Sequence, residues 1–480
     1  MNIIKTRSSI KNIKNLIKIN KMEKIRFGTD GWRAIIGKNY TVNNVARVSK
    51  AVADFANKKY PNPTIVIGYD CRFGGEMFAE TAAKVFTHEG VKVILSNSFV
   101  STPMVSLAVI MYQANLGVVI TASHNPPEYS GYKLKGDFGG PLLQNDISKV
   151  ESMIPESNKI NLNEKSIEEL KKTNKISYRN FEKLYCEHVS KNFDLDSINN
   201  SSMQIAYDPM FGAGLNTVKQ LLKNITQIND DLNPGFNGIA PEPIERNLKK
   251  LSNLIKENSF KIDCGLATDG DADRIGLYNH LGEFIDSHHI IVLLIHYLVK
   301  YKKLSGKVVT AFSCSVKVAQ ICKHYNLDHE VVKIGFKHIA GKMIKEDVLL
   351  GGEESGGIAS KGHIPERDGI WIGLILFEFM AKSKKSLNDL INEVYDIVGE
   401  FAFERMDLHI SSNLKEHILK KCINREYKFF GKYSIIKTEN LDGFKYYFDE
   451  NTWLMIRPSG TEPVLRVYCE AKNKNQCLEI

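Results

Sequence analysis

Several features that would fix a function at once are missing from this 480-residue chain. The longest strongly apolar stretch, around residues 290–299, is about ten residues long, which is too short to span a bilayer. The eight cysteines form no C-x-x-C pair, so the sequence gives little indication of a zinc site or a thioredoxin-type redox motif. Reduced thiols in a cytoplasmic protein are expected. The chain also lacks the G-x-x-x-x-G-K, G-x-G-x-x-G and G-x-S-x-G patterns of nucleotide-binding loops and hydrolase elbows.

Acidic residues are absent from the first 21 positions, which hold six of the 64 lysines and arginines. These six account for most of the net charge of +9, so the body is nearly balanced and nothing in it indicates nucleic-acid or membrane binding. We expect residues 1–21 to be a poorly ordered, dispensable tail. Its helical spacing of apolar residues also fits an organellar targeting peptide, and Met22 is an alternative start.

Strand and helix patterns alternate through most of the chain. Residues 64–70, a helical segment at 76–88, and residues 91–95 read as strand, helix and strand, which predicts a βαβ unit with a parallel sheet. Similar units begin at residues 203 and 307, and a linker with a surface helix is expected at 156–185. From Phe401 onward the pattern becomes mixed helix and strand.

The most informative stretch is Thr121–Pro126, which follows an apolar strand at residues 116–120. Pro126 and Pro127 disfavour a helix here. We therefore expect Ser123 on an exposed loop at the carboxyl end of a strand, where open sheets bind ligands. A serine hydroxyl beside His124 is a candidate acceptor of a phosphoryl or acyl group.

Three carboxylates at alternate positions, Asp269, Asp271 and Asp273, repel one another unless a cation lies among them. The EF-hand pattern fails at Arg274 and His280, so a magnesium site shared with a phosphate is the better interpretation. Hydrophobic sequence on both sides argues against a solvated acidic turn.

Other polar loops carry weaker signals. Arg33 lies in a glycine-rich loop and has the planar fork that grips phosphate. The acidic, glycine-rich segment 351–357 suits sugar hydroxyls, and the Arg457–Pro463 turn with Arg466 on the following strand suits an anion. Each of these alone is equally typical of a surface turn.

Together these segments resemble the α-D-phosphohexomutase family, the phosphoglucomutases and phosphomannomutases. Five motifs match in the family's order: FGTDGWR, TASHNP, DGDADR, GEESGG and RPSGTEP. The resemblance implies an α/β fold of four domains around a central cleft, three of them similar mixed-sheet domains and the fourth a smaller α+β domain. The expected division is a tail at 1–21 and domains at 22–155, 176–286, 287–399 and 400–480.

The resemblance also implies roles for residues. Ser123 would be the phosphoserine, and its oxygen would complete an Mg²⁺ site with Asp269, Asp271 and Asp273. The residues implied to line the transfer site are Arg33, His124, Lys133 and Arg274. Those implied to bind the substrate are Gly335, Lys337, Glu353, Ser355, His363, Arg367, Arg457, Ser459, Gly460, Thr461 and Arg466.

Two positions depart from the family's patterns. Gly357 stands where one bacterial branch has histidine, and Arg367 stands where the phosphoglucomutase branch has lysine. Arginine barely deprotonates, so the proton-transferring residue is open, with Lys133 and His363 as candidates.

The expected activity is a magnesium-dependent interconversion of hexose 1- and 6-phosphates, glucose phosphates first, through a hexose 1,6-bisphosphate. Glucose 1,6-bisphosphate would be the activator, and hexose phosphates the partners of a monomer or dimer. Mannose and glucosamine phosphates are the alternatives within the family. A catalytically silent binding protein and a metal-assisted sugar phosphatase are the more distant alternatives.

Overall fold

The computed structural model describes residues 24–259, 261–458 and 464–480. The predicted tail at 1–21 and three predicted phosphate-binding residues, Ser459, Gly460 and Thr461, lie outside these ranges. None of the helices in the described part of the chain combines the length and apolarity needed to cross a bilayer.

The first domain carries a sheet in which six described strands follow the order β1-β5-β4-β2-β3-β6. Its strands are β1 (Trp32–Ile35), β2 (Thr64–Tyr69), β3 (Lys92–Ser96), β4 (Leu116–Ile120), β5 (Tyr129–Gly136) and β6 (Ile176–Arg179). Its helices are α1 (Val42–Lys59), α2 (Gly75–His88), α3 (Thr102–Met111), α4 (Gln144–Met153) and α5 (Ile167–Lys172). The strands predicted at 64–70, 91–95 and 116–120 are confirmed.

This sheet is mixed rather than parallel throughout. β4, β2, β3 and β6 are parallel, while β5 runs antiparallel to both β4 and β1. The chain reverses after β4 without a crossover helix, because residues 121–128 turn directly back into β5. The loop with Ser123 therefore lies at the carboxyl end of β4, as predicted.

The second domain continues from the segment that we expected to be a linker. Its elements are α6 (Phe181–Asn192), α7 (Leu195–Asn199), β7 (Ile205–Asp208), α8 (Thr217–Leu221), β8 (Ile225–Gln227), α9 (Lys249–Glu257), β9 (Cys264–Thr268), β10 (Ile275–Asn279) and β11 (Phe284–Ile285), with 3₁₀ turns at Phe236–Gly238 and Glu245–Asn247. Its described strands follow the order β11-β10-β9-β7-β8.

The prediction for residues 156–185 was wrong in part. β6 completes the first sheet beside β3, although the predicted second domain begins at residue 176. α6 buries Phe181, Tyr185 and Val189 on one face, so it is a core helix. The abundant polar residues of this segment concealed the i, i+4, i+8 spacing of these three side chains.

The third and fourth domains complete the described chain. The third contains α10 (Ser287–His296) with a π turn at Tyr297–Tyr301, β12 (Lys307–Ala311), α11 (Lys317–His324), β13 (His329–Val332), α12 (Phe336–Met343), β14 (Val348–Gly352), β15 (Ile358–Ser360), α13 (Gly369–Ser383) and α14 (Leu387–Val398). The fourth contains β16 (Ala402–His409), α15 (Ser412–Ile423), β17 (Phe429–Phe430), β18 (Tyr433–Ser434), β19 (Lys437–Glu439), β20 (Phe444–Tyr447), β21 (Trp453–Pro458), β22 (Val464–Ala471) and α16 (Lys474–Glu479).

These two domains differ in their sheets. The third sheet is mixed, with the order β13-β12-β14-β15 in the described residues. The fourth sheet is antiparallel, with the order β16-β22-β21-β20-β19. Three mixed-sheet α/β domains followed by a smaller α+β domain are the architecture that the sequence predicts.

One apolar core connects the first three domains. It includes Val105 and Leu107 of α3, Tyr185 of α6, Ile291 of α10 and Phe377 of α13. The first sheet has a second core on its other face. The shared core fixes the three domains against one another, and the functional loops lie along their boundaries.

Candidate active site

The Ser123 hydroxyl lies at the boundary between the first two domains. Its Oγ donates to Asp269 Oδ2 at 2.8 Å and lies 3.3 Å from His124 Nδ1. The prediction that Ser123 is on an exposed loop was wrong, because its side chain is fully buried. The loop between β9 and β10 covers it so closely that a Cβ on Gly270 would lie 2.5 Å from the Ser123 carbonyl oxygen.

The three aspartates between β9 and β10 form one buried acidic group. One oxygen from each of Asp269, Asp271 and Asp273 lies within 4.8 Å of the others. Burial, reinforced by the two neighbouring carboxylates, raises the pKa of Asp269 well above its usual range. Among the described residues, the buried Oδ1 atoms of Asp271 and Asp273 have no hydrogen-bond partner. Such oxygen donors fit a hard divalent cation such as Mg²⁺.

The Lys133 ammonium group contacts the same carboxylates. From β5, its Nζ lies 2.7 Å from Asp271, 2.8 Å from Asp273 and 2.9 Å from Asp30. Burial lowers the pKa of Lys133, but these three carboxylates outweigh burial and raise it above its usual range. Lys133 is therefore held as a cation among the acids.

Guanidinium groups surround this acidic centre. Arg33, on β1, donates to Asn125 Oδ1 at 2.6 Å. Arg274 lies 4.0 Å from Asp273, and Arg367 bridges Asp273 at 2.9 Å and Asp30. The site therefore collects positive charge from the first, second and third domains, as a transferring phosphoryl group requires.

The predicted sugar-binding residues lie on the third domain near Arg367. Glu353 is buried at the end of β14 and accepts from the Gly335 backbone N–H at 3.0 Å. Burial raises the pKa of Glu353 to about 7. Ser355 is partly buried in the same loop, and Lys337 reaches back to Gln144 of the first domain at 2.5 Å.

The described part of the predicted phosphate cradle adjoins this loop. Arg457, on β21, lies 3.2 Å from Asp442. The other oxygen of Asp442 accepts from the Ile334 backbone N–H at 2.9 Å, next to Gly335. Arg466, on β22, is 3.8 Å from Asp407. A chain of contacts thus links the cradle to Glu353.

His363, which was predicted to bind the substrate, contacts an aromatic ring and polar side chains of its own fold. Its ring stacks on Trp371 at 3.8 Å, and its Nε2 lies 2.9 Å from Asp368 Oδ2. Its Nδ1 lies 3.3 Å from His188 Nε2. These contacts place His363 in an aromatic cluster between α6 and α13, where both of its ring nitrogens have partners.

Three residues of the centre were missed by sequence reasoning. Asp30 contacts Lys133, Thr102 donates to Asp271 at 2.5 Å, and Arg72 donates to the carbonyl of Ser123 at 2.5 Å. Asp30 stands inside the FGTDGWR motif, which was a usable signal. Thr102 and Arg72 lie in ordinary-looking segments whose role depends on which loops the fold brings together.

Family models match four segments that cover most of the chain. They are the phosphoglucomutase/phosphomannomutase α/β/α domains I, II and III, at residues 24–161, 183–282 and 286–398, and the C-terminal domain at 424–480. The chain belongs to the phosphoglucomutase/phosphomannomutase family. It is accordingly an enzyme of the phosphohexomutase type, an isomerase.

Members of this family align over nearly the whole chain. A phosphoglucosamine/phosphogalactosamine mutase of Sulfurisphaera tokodaii is 30% identical, covering 94% of this chain and 96% of its own. A phosphoglucomutase/phosphomannomutase of Thermococcus kodakarensis is 29% identical with the same coverage. The solved structure of a proposed phosphomannomutase from Thermus thermophilus has a TM-score of 0.84 at 29% identity, covering 95% of this chain and 97% of that one.

Proposed function

We propose that this enzyme interconverts hexose 1-phosphate and hexose 6-phosphate through a phosphoserine at Ser123 and a hexose 1,6-bisphosphate. The observation that carries the proposal is the position of the Ser123 hydroxyl, 2.8 Å from one of three buried aspartates that Lys133, Arg274 and Arg367 contact. A phosphoryl group on Ser123 would be strongly repelled by the aspartates alone. The cationic side chains that contact these aspartates offset that repulsion.

Magnesium is the cofactor that we propose. Asp269, Asp271 and Asp273 would hold it together with the Ser123 oxygen. When bound, the ion neutralises charge on the phosphoryl group. The donor set of carboxylate oxygens and the unpartnered Oδ1 atoms of Asp271 and Asp273 support this assignment.

The transfer step is a simple exchange of bonds. The bond between phosphorus and Ser123 Oγ breaks, and a bond between phosphorus and a sugar hydroxyl oxygen forms. The sugar hydroxyl loses a proton and the released Ser123 Oγ gains one, and we assign this proton transfer to His124, whose Nδ1 lies 3.3 Å from Ser123 Oγ. Burial, together with Arg274 and Arg33, lowers the pKa of His124 well below its usual value, so its ring is neutral before the transfer and releases a proton readily once it has accepted one.

Lys133 and His363, the two candidates from the sequence, fit this role less well. The carboxylates around Lys133 keep its ammonium protonated. The His363 ring stacks on Trp371, and its Nε2 is paired with Asp368, so that nitrogen is not available to the substrate.

The two phosphates of the bisphosphate need two binding sites. One lies at Ser123, and we assign the other to the fourth domain around Arg457. When the sugar turns end for end, the phosphates exchange sites, and the second transfer returns a phosphoryl group to Ser123. Retention of the bisphosphate by Arg457 distinguishes a mutase from a phosphatase.

Glucose phosphates are the substrates that we propose first, with glucose 1,6-bisphosphate as activator. Glucosamine phosphates are the second candidate, since the relatives from Sulfurisphaera tokodaii and Methanocaldococcus jannaschii carry that name at 30% and 31% identity. A cytoplasmic location is also part of the proposal, supported by cysteines that are all free thiols in the described residues.

The test is a coupled assay on a panel of 1-phosphates of glucose, mannose and glucosamine. Each is supplied with Mg²⁺ and a trace of the matching 1,6-bisphosphate, and both the 6-phosphate and free phosphate are followed. We expect the highest kcat/KM on glucose 1-phosphate, with isomer far exceeding free phosphate. A preference for the amino sugar would select the second candidate, and free phosphate as the main product would refute a mutase.

The position of the phosphoryl group is tested separately by intact mass. The wild-type protein incubated with bisphosphate should gain one phosphoryl group, and Ser123→Ala should not. Ser130→Ala is the matched control, because Ser130 is a buried serine on the adjacent strand β5. A phosphorylated Ser123→Ala protein would place the acceptor elsewhere.

A further inference from the structure

Ser123 has a backbone conformation that few residues other than glycine adopt. Its φ angle is +54°, in the left-handed region, although its side chain is buried. Such a conformation is strained and persists only where the surroundings enforce it. The contacts around the Ser123 backbone show what enforces it.

The carbonyl groups of the Ser123 loop converge on one buried side chain, Arg72. Its two terminal nitrogens donate to the carbonyl oxygens of Ser123 at 2.5 Å, Asn125 at 2.6 Å, Pro126 at 2.9 Å and Tyr129 at 3.0 Å. A single planar guanidinium thus fixes four carbonyls within seven residues. Its fixed fork of donors suits this task, whereas a lysine presents a compact charge on a flexible stem.

The amide side of Ser123 is fixed by Thr121. The Ser123 N–H donates to Thr121 Oγ1 at 2.8 Å, and that hydroxyl donates to Asp70 Oδ2 at 2.5 Å. Asp70 also lies 3.3 Å from Arg72 Nε and accepts from the Arg72 backbone N–H at 3.0 Å. The two supports of Ser123 therefore meet at one carboxylate.

A residue of the second domain completes the arrangement. The Phe236 ring lies 4.9 Å from the Arg72 guanidinium carbon. Arg72 itself is 3% exposed, so its position is set by packing rather than by solvent.

We propose that Arg72, with Thr121, is a positioning residue that holds the Ser123 backbone so that its hydroxyl is directed at Asp269. This inference rests on the proposed function, since the orientation of that hydroxyl matters for catalysis only if Ser123 carries the phosphoryl group. Arg72 acts on the loop carbonyls and does not touch the reacting atoms. A displacement of about 1 Å at a reacting group can cost 100-fold in rate, so a looser loop should act mainly on kcat.

The test compares Arg72→Lys with Arg47→Lys. Arg47 is a matched control because it is also buried in the first domain and donates to a backbone carbonyl, that of Pro155, at 2.7 Å. We expect Arg72→Lys to phosphorylate Ser123 from bisphosphate about 100-fold more slowly in single-turnover intact-mass measurements, with kcat reduced in proportion. KM and the thermal midpoint should resemble those of Arg47→Lys.

A wild-type phosphorylation rate in Arg72→Lys would overturn the inference, as would equal losses in both variants. If Arg72→Lys does not accumulate as folded protein, Thr121→Val decides, because it removes the amide support and the bond to Asp70 but leaves Arg72 and its four carbonyl partners in place; a wild-type rate there would overturn the inference. Should the wild-type enzyme carry no phosphoryl group on Ser123, the proposed function fails. Amide hydrogen exchange across residues 121–126 then still decides whether Arg72 holds the loop: faster exchange in Arg72→Lys supports it, and unchanged exchange refutes it.

Discussion

Replacing Lys133 by methionine should destabilise the metal-free enzyme strongly and make its stability depend on Mg²⁺. The Lys133 ammonium lies within 2.9 Å of Asp30, Asp271 and Asp273, and its side chain is fully buried. Removing one partner from a buried ion pair costs about 3–5 kcal/mol, because the opposite charge is left uncompensated. For a chain of 480 residues a loss of 1 kcal/mol lowers the midpoint of thermal unfolding by about 1 °C, so the midpoint should fall by roughly 3–5 °C in EDTA.

Magnesium should reverse much of this loss. A divalent cation among the three aspartates supplies the charge that Lys133 supplied, and a ligand at 100 times its Kd stabilises by about 2.7 kcal/mol. The assay is a series of thermal unfolding curves from EDTA to millimolar Mg²⁺. The upward shift with Mg²⁺ should be larger in Lys133→Met than in the wild type.

Lys135→Met is the matched control for this experiment. Lys135 lies two residues along the same strand and is equally buried, but it pairs with Glu366 at 2.5 Å rather than with the aspartates. Its loss should also destabilise the protein, without rescue by Mg²⁺. Equal Mg²⁺ shifts in the two variants would refute the idea that Lys133 neutralises the acidic centre.

Three further outcomes are expected. Glu353→Gln should be more stable than the wild type at pH 8, by up to about 3 kcal/mol, and equal to it near pH 4. Burial raises the pKa of Glu353 to about 7, so the wild type loses stability as pH rises from about 4.3 to 7, and unfolding curves at both pH values check this. Arg457→Gln should raise KM for hexose phosphate at least about tenfold, since a hydrogen bond to a charged group contributes about 1.5–3 kcal/mol, while the exposed Arg425→Gln leaves KM unchanged in steady-state assays. His363→Gln should lower the thermal midpoint but keep the pH–rate profile of the wild type, and a lost acidic or basic limb would restore His363 as a proton carrier.

Much of the fold was predictable because its signals are local. The strands at 64–69 and 116–120 are short apolar runs between turn residues, and such runs form buried strands in many contexts. The motif order then predicted the four domains and their sheet types. The segment at 156–185 was misread because its buried positions are few and are separated by lysine and asparagine.

The burial of Ser123 could not be predicted in the same way. The prolines after it correctly indicated a loop, but its exposure depends on a loop from the second domain that lies 146 residues further along the chain. The same is true of Arg72, whose terminal nitrogens donate to backbone carbonyls that carry no sequence signal. Contacts to backbone atoms depend on the path of the chain in three dimensions. Residue types alone therefore do not show which carbonyls a side chain will reach.

The core shared by three domains has a consequence for co-translational folding. Helices α3 and α6 pack against each other, but α6 and the segment after it are also covered by Trp371 and its neighbours on α13. At about 5–20 residues per second, α13 is translated on the order of ten to forty seconds after α6. During that interval the apolar surface of α6 that α13 later covers is exposed on the nascent chain. Chaperones that bind exposed apolar segments are expected to bind there.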